Sequence, residues 1–505
     1  MWLDRVCSAA RDRRRALVLC ALAVGVLAGC GGSQRQVSSI RRTTWTAPNA
    51  GIDNARQVGG PIDSSTVSRL RVAWRLPLVS SYATTPVVAN GVLYTQDLSS
   101  NVLALRLHSG KLLWEKRFDA TDIGPNGVNV VDGRVYGATP RQAFALDART
   151  GKVLWRKTIA RRAGDTVDMA PGHWKRTVYV STAVQGPGAV GTLWALDAAT
   201  GRTRWRWEQV PRGLWGDRKL NAGGGLWHPP AFDGRGGLYM GIANPLPFPG
   251  TTELPWGASR PGANRWNNSI VKLDARTGRF IWGRQVLPHD IYDWDLECPV
   301  ILTTVQHRRV ALAAGKMGVV YAFDAMTGTR LWKQPVGIHN GHDGDNLLAL
   351  HKDYDGLKPP MKIYPGNWGG VETQMASDGA TVYVPVNNLY IVYRSQTSAT
   401  SQDTSKGTGE IVALDEATGS VKWDRKLPHS VYGAASIAND LVFTTTYDGM
   451  LWALNRDTGE IVWRSRLPAG TDAPVAISDD MLITAGSLQI AAGQKAQIVA
   501  YRLGR

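Results

Sequence analysis

One eleven-residue phrase recurs along this chain and narrows what it can fold into. It reads "ALRLHSGKLLW" at 104–114, "ALDARTGKVLW" at 145–155, "ALDAATGRTRW" at 195–205 and "KLDARTGRFIW" at 272–282. It returns as "AFDAMTGTRLW" at 322–332, "ALDEATGSVKW" at 413–423 and "ALNRDTGEIVW" at 453–463. "SRLRVAWRL" at 68–76 is an eighth, truncated copy ending its motif at Trp74. Each copy predicts strand, tight turn, strand. The first half is apolar or alternates with period two. The Thr-Gly or Ser-Gly pair supplies the turn, since Gly accepts positive φ and Asp and Thr side chains bond turn backbone. A Trp at one fixed position on the next strand fills the gap between stacked units.

Further strands precede many copies, as in "GVLYTQD" (91–97), "GRVYGAT" (133–139) and "DLVFTTT" (440–446). Short strands joined by turns make four-stranded units, and no amphipathic helix stands out. The expected fold is all-β: an eight-bladed β-propeller of four-stranded antiparallel blades. A blade needs about forty residues. The intervals 206–281 and 333–422 therefore contain inserted loops, and long loops on a rigid scaffold are where function concentrates. Blade packing accounts for the repeat Trp residues among the twenty in the chain. Trp227, Trp256, Trp266, Trp294 and Trp368 fall outside the repeat.

The expected organisation is a signal peptide (1–29), a lipidated Cys with a flexible tether (30–53) and the propeller (54–505). Arg11, Arg13, Arg14 and Arg15 precede a short apolar run ending in "LAGC" at 27–30. That order is a secretory signal, too short for a comfortable membrane span. "LAGC" resembles a bacterial lipobox, which implies lipidation of Cys30, anchoring to a membrane and an extracytoplasmic, cell-envelope location. Ordinary signal cleavage is the alternative. Cys7 and Cys20 leave with the signal, so an acylated Cys30 leaves Cys298 as the one thiol, with no intramolecular disulfide. There is no C-x-x-C-H, hence no covalent haem, and any electron acceptor is a separate molecule. The formal charge is +17. Without a long Lys/Arg run or a nucleic-acid motif, it reads either as a surface facing anionic lipid or cell wall or as a funnel for an acidic small molecule. A nucleic-acid partner is not expected.

Segments outside the repeat bring in chemistry. "PHDIYDWDLE" (288–297) is acidic and directly follows a repeat Trp and its inserted loop. Together with the repeat, "GGGLWHPPAFD" (223–233), "ANPLPFPG…RPGANRWNNSI" (243–270), "GKMGVVYAFD" (315–324) and "PVNNLY" (385–390) resemble the quinoprotein alcohol dehydrogenases. These are eight-bladed propellers that bind pyrroloquinoline quinone (PQQ) over the central channel. The resemblance runs from about Asn54 to Tyr501. Some lipoprotein scaffolds of outer-membrane assembly share the repeat without activity, so the repeat alone fixes fold and not function. The resemblance implies Trp227 beneath the quinone, Lys316 on its oxygens and Asn387 as a further cofactor contact. It implies Asn264, Asp293 and Asp295 as ligands of a calcium or lanthanide ion, with Asp293 also the catalytic base. Hard oxygen ligands suit such a cation, which polarises a quinone carbonyl while a carboxylate takes the alcohol proton. Asp290 and Glu297 read as scaffold, His289 as structural, and "HNGHDGDN" (339–346) as a loop.

Two departures stand out. Gly186, or Gln185 with a one-residue slip, occupies the place of a Glu metal ligand, and Asn126 the place of an Arg on the quinone. Asp295 or Asp168 could supply the missing charge. The expected function is a PQQ- and metal-dependent dehydrogenase of alcohols or aldehydes, passing electrons to an external acceptor. The alternative is a non-catalytic propeller that binds envelope partners.

Overall fold

The computed structural model describes residues 42–504. It consists almost wholly of short strands, with one α-helix, Asp345–Leu350. Seven antiparallel sheets have four strands, and an eighth carries a fifth, parallel strand. In blade one, Val87–Ala89, Val92–Gln96, Val102–Arg106 and Leu112–Lys116 pair in sequence order. Later blades repeat this and begin at Asn129, Gly172, Ala231, Ile301, Ala376, Ser436 and Ala476. Their first strands touch from blade one to blade three and from blade four to blade eight, which makes them the inner wall of a ring. Blade eight borrows its outer strand: Leu70–Pro77 pairs with Gln497–Leu503 and joins the two ends of the fold.

The recurrent Trp sits on each outer strand and reaches into the following blade. The indole N–H groups of Trp74, Trp114, Trp155, Trp205, Trp332 and Trp423 each donate to a backbone carbonyl there (2.8–3.1 Å). The ring rests on the turn Gly of that blade. A Cβ on Gly201 would stand 2.7 Å from Trp155, so this Gly supplies both a positive φ of +68° and bare backbone for the indole. Trp74 lies on Gly110 in the same way, across the join between blades eight and one. The cores sit between neighbouring sheets, as in the cluster of Val87, Tyr94, Ala104, Val128, Val135 and Phe144.

The boundary expected at residue 54 falls earlier. Trp45, Asn49 and Ala50, assigned to the tether, are buried. The segment 43–58 runs around the channel. The carbonyls of Ile52, Asp53, Ala55 and Arg56 accept from Phe232, Leu302, Ser377 and Ile437, on the inner strands of blades four to seven. Cys30 and the expected signal peptide lie outside the described residues. No described helix is long and apolar enough to cross a membrane.

Candidate active site

Segments from all eight blades converge on one cavity of about 420 Å³, which places it on the ring axis. Pro229, Val300, Ala435 and Val475 lie between its wall and the start of the inner strands, and their carbonyls accept from Asn54 or Arg56. The N-terminal segment therefore closes the channel below the cavity.

The acidic wall comes from the extended stretch leading into blade five. Asp290 is its brace: its carboxylate accepts from the backbone N–H of Tyr292 (2.9 Å) and Trp294 (2.8 Å). Asp293 then adopts φ +64°. Beyond it the side chains alternate with period two. Asp293, Asp295 and Glu297 line the cavity, whereas Trp294, Leu296 and Cys298 are buried outside it. Glu297, read as scaffold, thus belongs to the cavity.

Lys316 and Asn244 hold these acids. Lys316 Nζ lies 2.8 Å from Asp295, 3.3 Å from Asp293 and 3.9 Å from Glu297. Asn244 donates its backbone N–H to Asp295 (2.7 Å) and its side-chain amide to Asp293 (2.8 Å). Burial raises the pKa of Asp293 and Glu297 well above ordinary carboxylate values and pushes Glu372 up to about 7. Burial alone would lower the Lys316 pKa, but the surrounding carboxylates outweigh it and hold the ammonium charged. Trp227 lines the same cavity, and its indole N–H has no partner.

Other expected residues lie elsewhere. The Asn264 carboxamide is taken up by the Arg260 guanidinium and, through Nδ2, by the carbonyls of Arg260 (2.8 Å) and Gly262 (3.3 Å). It is absent from the cavity wall, and Asn244 is the amide beside the carboxylates. Asn387 is also off the wall. Its side chain accepts from Val431 N–H (2.6 Å), and its backbone pairs with Gly370, so it positions the 368–374 segment that carries Trp368 and Glu372. Of the two alternatives for the missing Glu, Gln185 lines the cavity and Gly186 does not. Asn126 turns its amide to Asp97 O (2.9 Å). Asp168 is off the cavity wall, buried behind Gly124 and beside Asp122. In "HNGHDGDN", His342 bonds Asp345 (2.7 Å), which also accepts from Tyr292, a brace behind the acidic stretch. The residues that sequence reasoning passed over are Asn244, Glu372, Gln374, Tyr432 and Asp472. The Asp-Trp-Asp-Leu-Glu alternation was the available signal for Glu297.

Comparison with known proteins agrees with this architecture. The family model described as "Glucose/ethanol/alcohol dehydrogenase, beta-propeller domain" matches residues 162–337. The model described as "Outer membrane protein assembly factor BamB" matches 99–220 and 316–504. Quinohemoprotein alcohol dehydrogenase of Comamonas testosteroni is 28% identical over 404 residues, 70% of this chain and 56% of that protein. Quinohemoprotein alcohol dehydrogenase ADH IIB of Pseudomonas putida is 27% identical over 457 residues, 77% of this chain and 65% of that protein. The chain thus spans between about half and two thirds of the length of these relatives. Among solved structures, the Comamonas testosteroni enzyme superposes with a TM-score of 0.78 at 23% identity, covering 92% of this chain and 81% of the other. A europium-containing methanol dehydrogenase gives 0.74 at 19% identity, covering 91% and 98%. From its repeat, its ring of four-stranded sheets and these matches, the chain belongs to the PQQ-dependent alcohol dehydrogenase-like β-propeller family.

Proposed function

We propose that the cavity is the active site of an extracytoplasmic dehydrogenase that oxidises alcohols or aldehydes with PQQ and a calcium or lanthanide ion. The electrons go to an external carrier, and lipidated Cys30 tethers the protein to a membrane. The observation that carries this reading is the Asp293–Asn244–Asp295–Lys316 constellation beside Trp227.

The residues present fit both groups. The Trp227 indole, with Leu246, Phe248 and Val184, offers a flat apolar bed for a planar ring. Asp293, Asp295, Asn244 and Gln185 offer oxygen donors suited to a hard cation. The acids outnumber the one Lys on the wall, and Glu297 Oε1 and Glu372 Oε2 are buried without partners, so the site gains from added positive charge. Gln185 is neutral where a carboxylate is implied, and Asp295 and Glu297 carry charge in its place.

The chemistry the bound groups supply is hydride acceptance at a quinone carbon under polarisation by the cation. This chain's residues do the rest. Asp293 takes the substrate hydroxyl proton. It suits that role better than Asp295 because its Lys316 contact is longer and its side chain more exposed, 15% against 2%. Asn244 aims both carboxylates, and Lys316 keeps them paired until a ligand arrives. Electron transfer outward is left to an external carrier.

The test is reconstitution with PQQ plus calcium or lanthanum, reading cofactor absorbance and alcohol-dependent dye reduction. Wild type is expected to bind PQQ and turn over. Asp293→Asn is expected to bind PQQ yet lose about 10²–10⁴ in turnover. Absence of bound PQQ at micromolar protein overturns the reading.

A further inference from the structure

The ring has two unlike faces. The cavity lies among the loops that link second strands to third and each blade to the next. Its wall carries five acids against one Lys and no Arg, so the formal charge of +17 is not a funnel for an acidic small molecule there. The opposite face is built of the hairpin turns that join first strands to second and third to fourth, the Thr-Gly turns of the repeat among them.

In blades three and four these turns present Lys175, Arg176, Arg202, Arg235, Arg276 and Arg279, all exposed. Three acids share the turns. Asp197 pairs with Arg204 (2.7 Å), the one ion pair that any of these charges makes among the described residues. Asp233 and Asp274 face their own turn backbone and accept from the N–H of Gly237 (2.8 Å) and Thr277 (3.0 Å). Lys175 and Arg276 stand 4.8 and 5.3 Å from the ring centre of buried Trp174, which holds two cations together across the blade junction. Arg309 carries the basic arc into blade five, where it donates to Asp233 O (3.3 Å). Met326, 66% exposed, stands in the Thr-Gly turn of that blade.

We propose that this turn face docks on an anionic phospholipid surface and so directs the cavity away from the membrane. Unpaired cations on one face are drawn to the negative potential of such a surface, and an apolar tip beside them suits lipid better than a soluble polyanion. The path of the chain gives a second argument. The described chain enters on the same face, where Thr43 O accepts from Asp479 N–H (2.8 Å) in the first turn of blade eight, across the ring from blade four. Twelve residues separate Cys30 from Arg42, a reach of up to about 40 Å. A lipid on Cys30 would therefore fix nearness and not orientation. With that lipid at one edge and the basic arc at the other, the face lies flat. Only this two-point attachment rests on the proposed lipidation; the arc stands without it.

The test uses the whole chain carrying Cys30→Ser, so that no acyl chain contributes and no PQQ is needed. Co-sedimentation compares vesicles of phosphatidylcholine alone with vesicles containing about a third phosphatidylglycerol. Binding to the anionic vesicles should be at least about tenfold tighter, and high salt should abolish the difference. Arg176→Gln, Arg202→Gln and Arg279→Gln combined should narrow the gap at least about tenfold. Arg218→Gln, Lys219→Gln and Lys495→Gln combined, an equal loss of charge from loops on the cavity side, should leave it. Melting curves check the folding of both. Hydrogen exchange on bound vesicles should protect the turns at 175–176 and 276–279 and leave 368–374 unchanged. No preference for phosphatidylglycerol, an equal effect of the two triple variants, or protection of 368–374 instead overturns the proposal. So does selective pelleting with isolated cell wall in place of anionic vesicles. The dehydrogenase reading stands or falls separately, on PQQ binding and dye reduction.

Discussion

Asp122 and Asp168 illustrate at the residue scale how burial turns charge into pH dependence. Both are buried, and Asp122 Oδ2 and Asp168 Oδ2 have no other partner. Burial, then the Asp122 carboxyl beside it, pushes Asp168 up to about 9, against roughly 3.9 in an unfolded chain. The folded protein therefore keeps a proton through neutral pH that the unfolded chain has released. This contribution is full below about pH 4 and is lost as pH rises toward about 9. Asp168→Asn removes the proton site, so its melting temperature should fall less than wild type between about pH 6 and pH 9. Equal slopes would show that the pair shares no proton. The same scale shows what was legible. Asp293, Asp295, Lys316 and Trp227 could be placed because each sits a fixed distance from a repeat or within a distinctive segment. Asn264 and Asn387 could not, because several amides occur in each loop. Which one faces the channel depends on left-handed backbone, such as that at Asn268, that local pattern does not reveal.

The blade is the element at which sequence and structure agree most closely, because one side-chain contact repeats at nearly every junction. The turn Gly was read for its positive φ; the structure adds that the neighbouring indole needs the missing Cβ. Two glycines separate these effects. Gly133 has φ +72° and nothing within 4 Å of a Cβ, whereas Gly201 has φ +68° with Trp155 at 2.7 Å. Gly133→Ala should lose about 1 kcal/mol from backbone strain alone. Gly201→Ala carries the same strain plus displacement of a packed ring, an overpacking loss of about 1–3 kcal/mol more. Denaturant melts of both variants measure the difference. Equal losses would mean the indole yields freely and does not fix the blade spacing. The inserted loops lack such a periodic contact, which is why their length was legible and their small sheets, such as Met361–Ile363 with Ile391–Tyr393, were not.

For the whole molecule, the question is what holds eight weakly connected sheets in one ring. Trp74 and Leu70–Pro77 join the first and last blades from outside. From inside, the task falls to residues 43–58, a polar stretch whose part up to residue 53 reads as tether because its burial exists only once the ring has formed. Arg56 is its anchor. Fully buried, it donates to Ala435 O (2.7 Å), Val475 O (3.3 Å), Ser436 Oγ (2.9 Å), Thr85 Oγ1 (3.3 Å) and Asn49 Oδ1 (2.8 Å). These partners belong to blades one, seven and eight and to the segment itself, and none is a carboxylate. A planar guanidinium spans them at once, while an ammonium, a single point, cannot. Arg56→Lys should therefore destabilise nearly as much as Arg56→Met, by about 2–4 kcal/mol from acceptors left buried and unpaired. Because the anchor ties three consecutive blades across the join between the two ends of the fold, both variants should also broaden the thermal transition as blades uncouple. Retention of wild-type stability and sharpness in Arg56→Lys would mean that positive charge, and not the fork of donors, holds the ring. In that case the closed channel floor beneath the cavity would owe its form to the sheets alone.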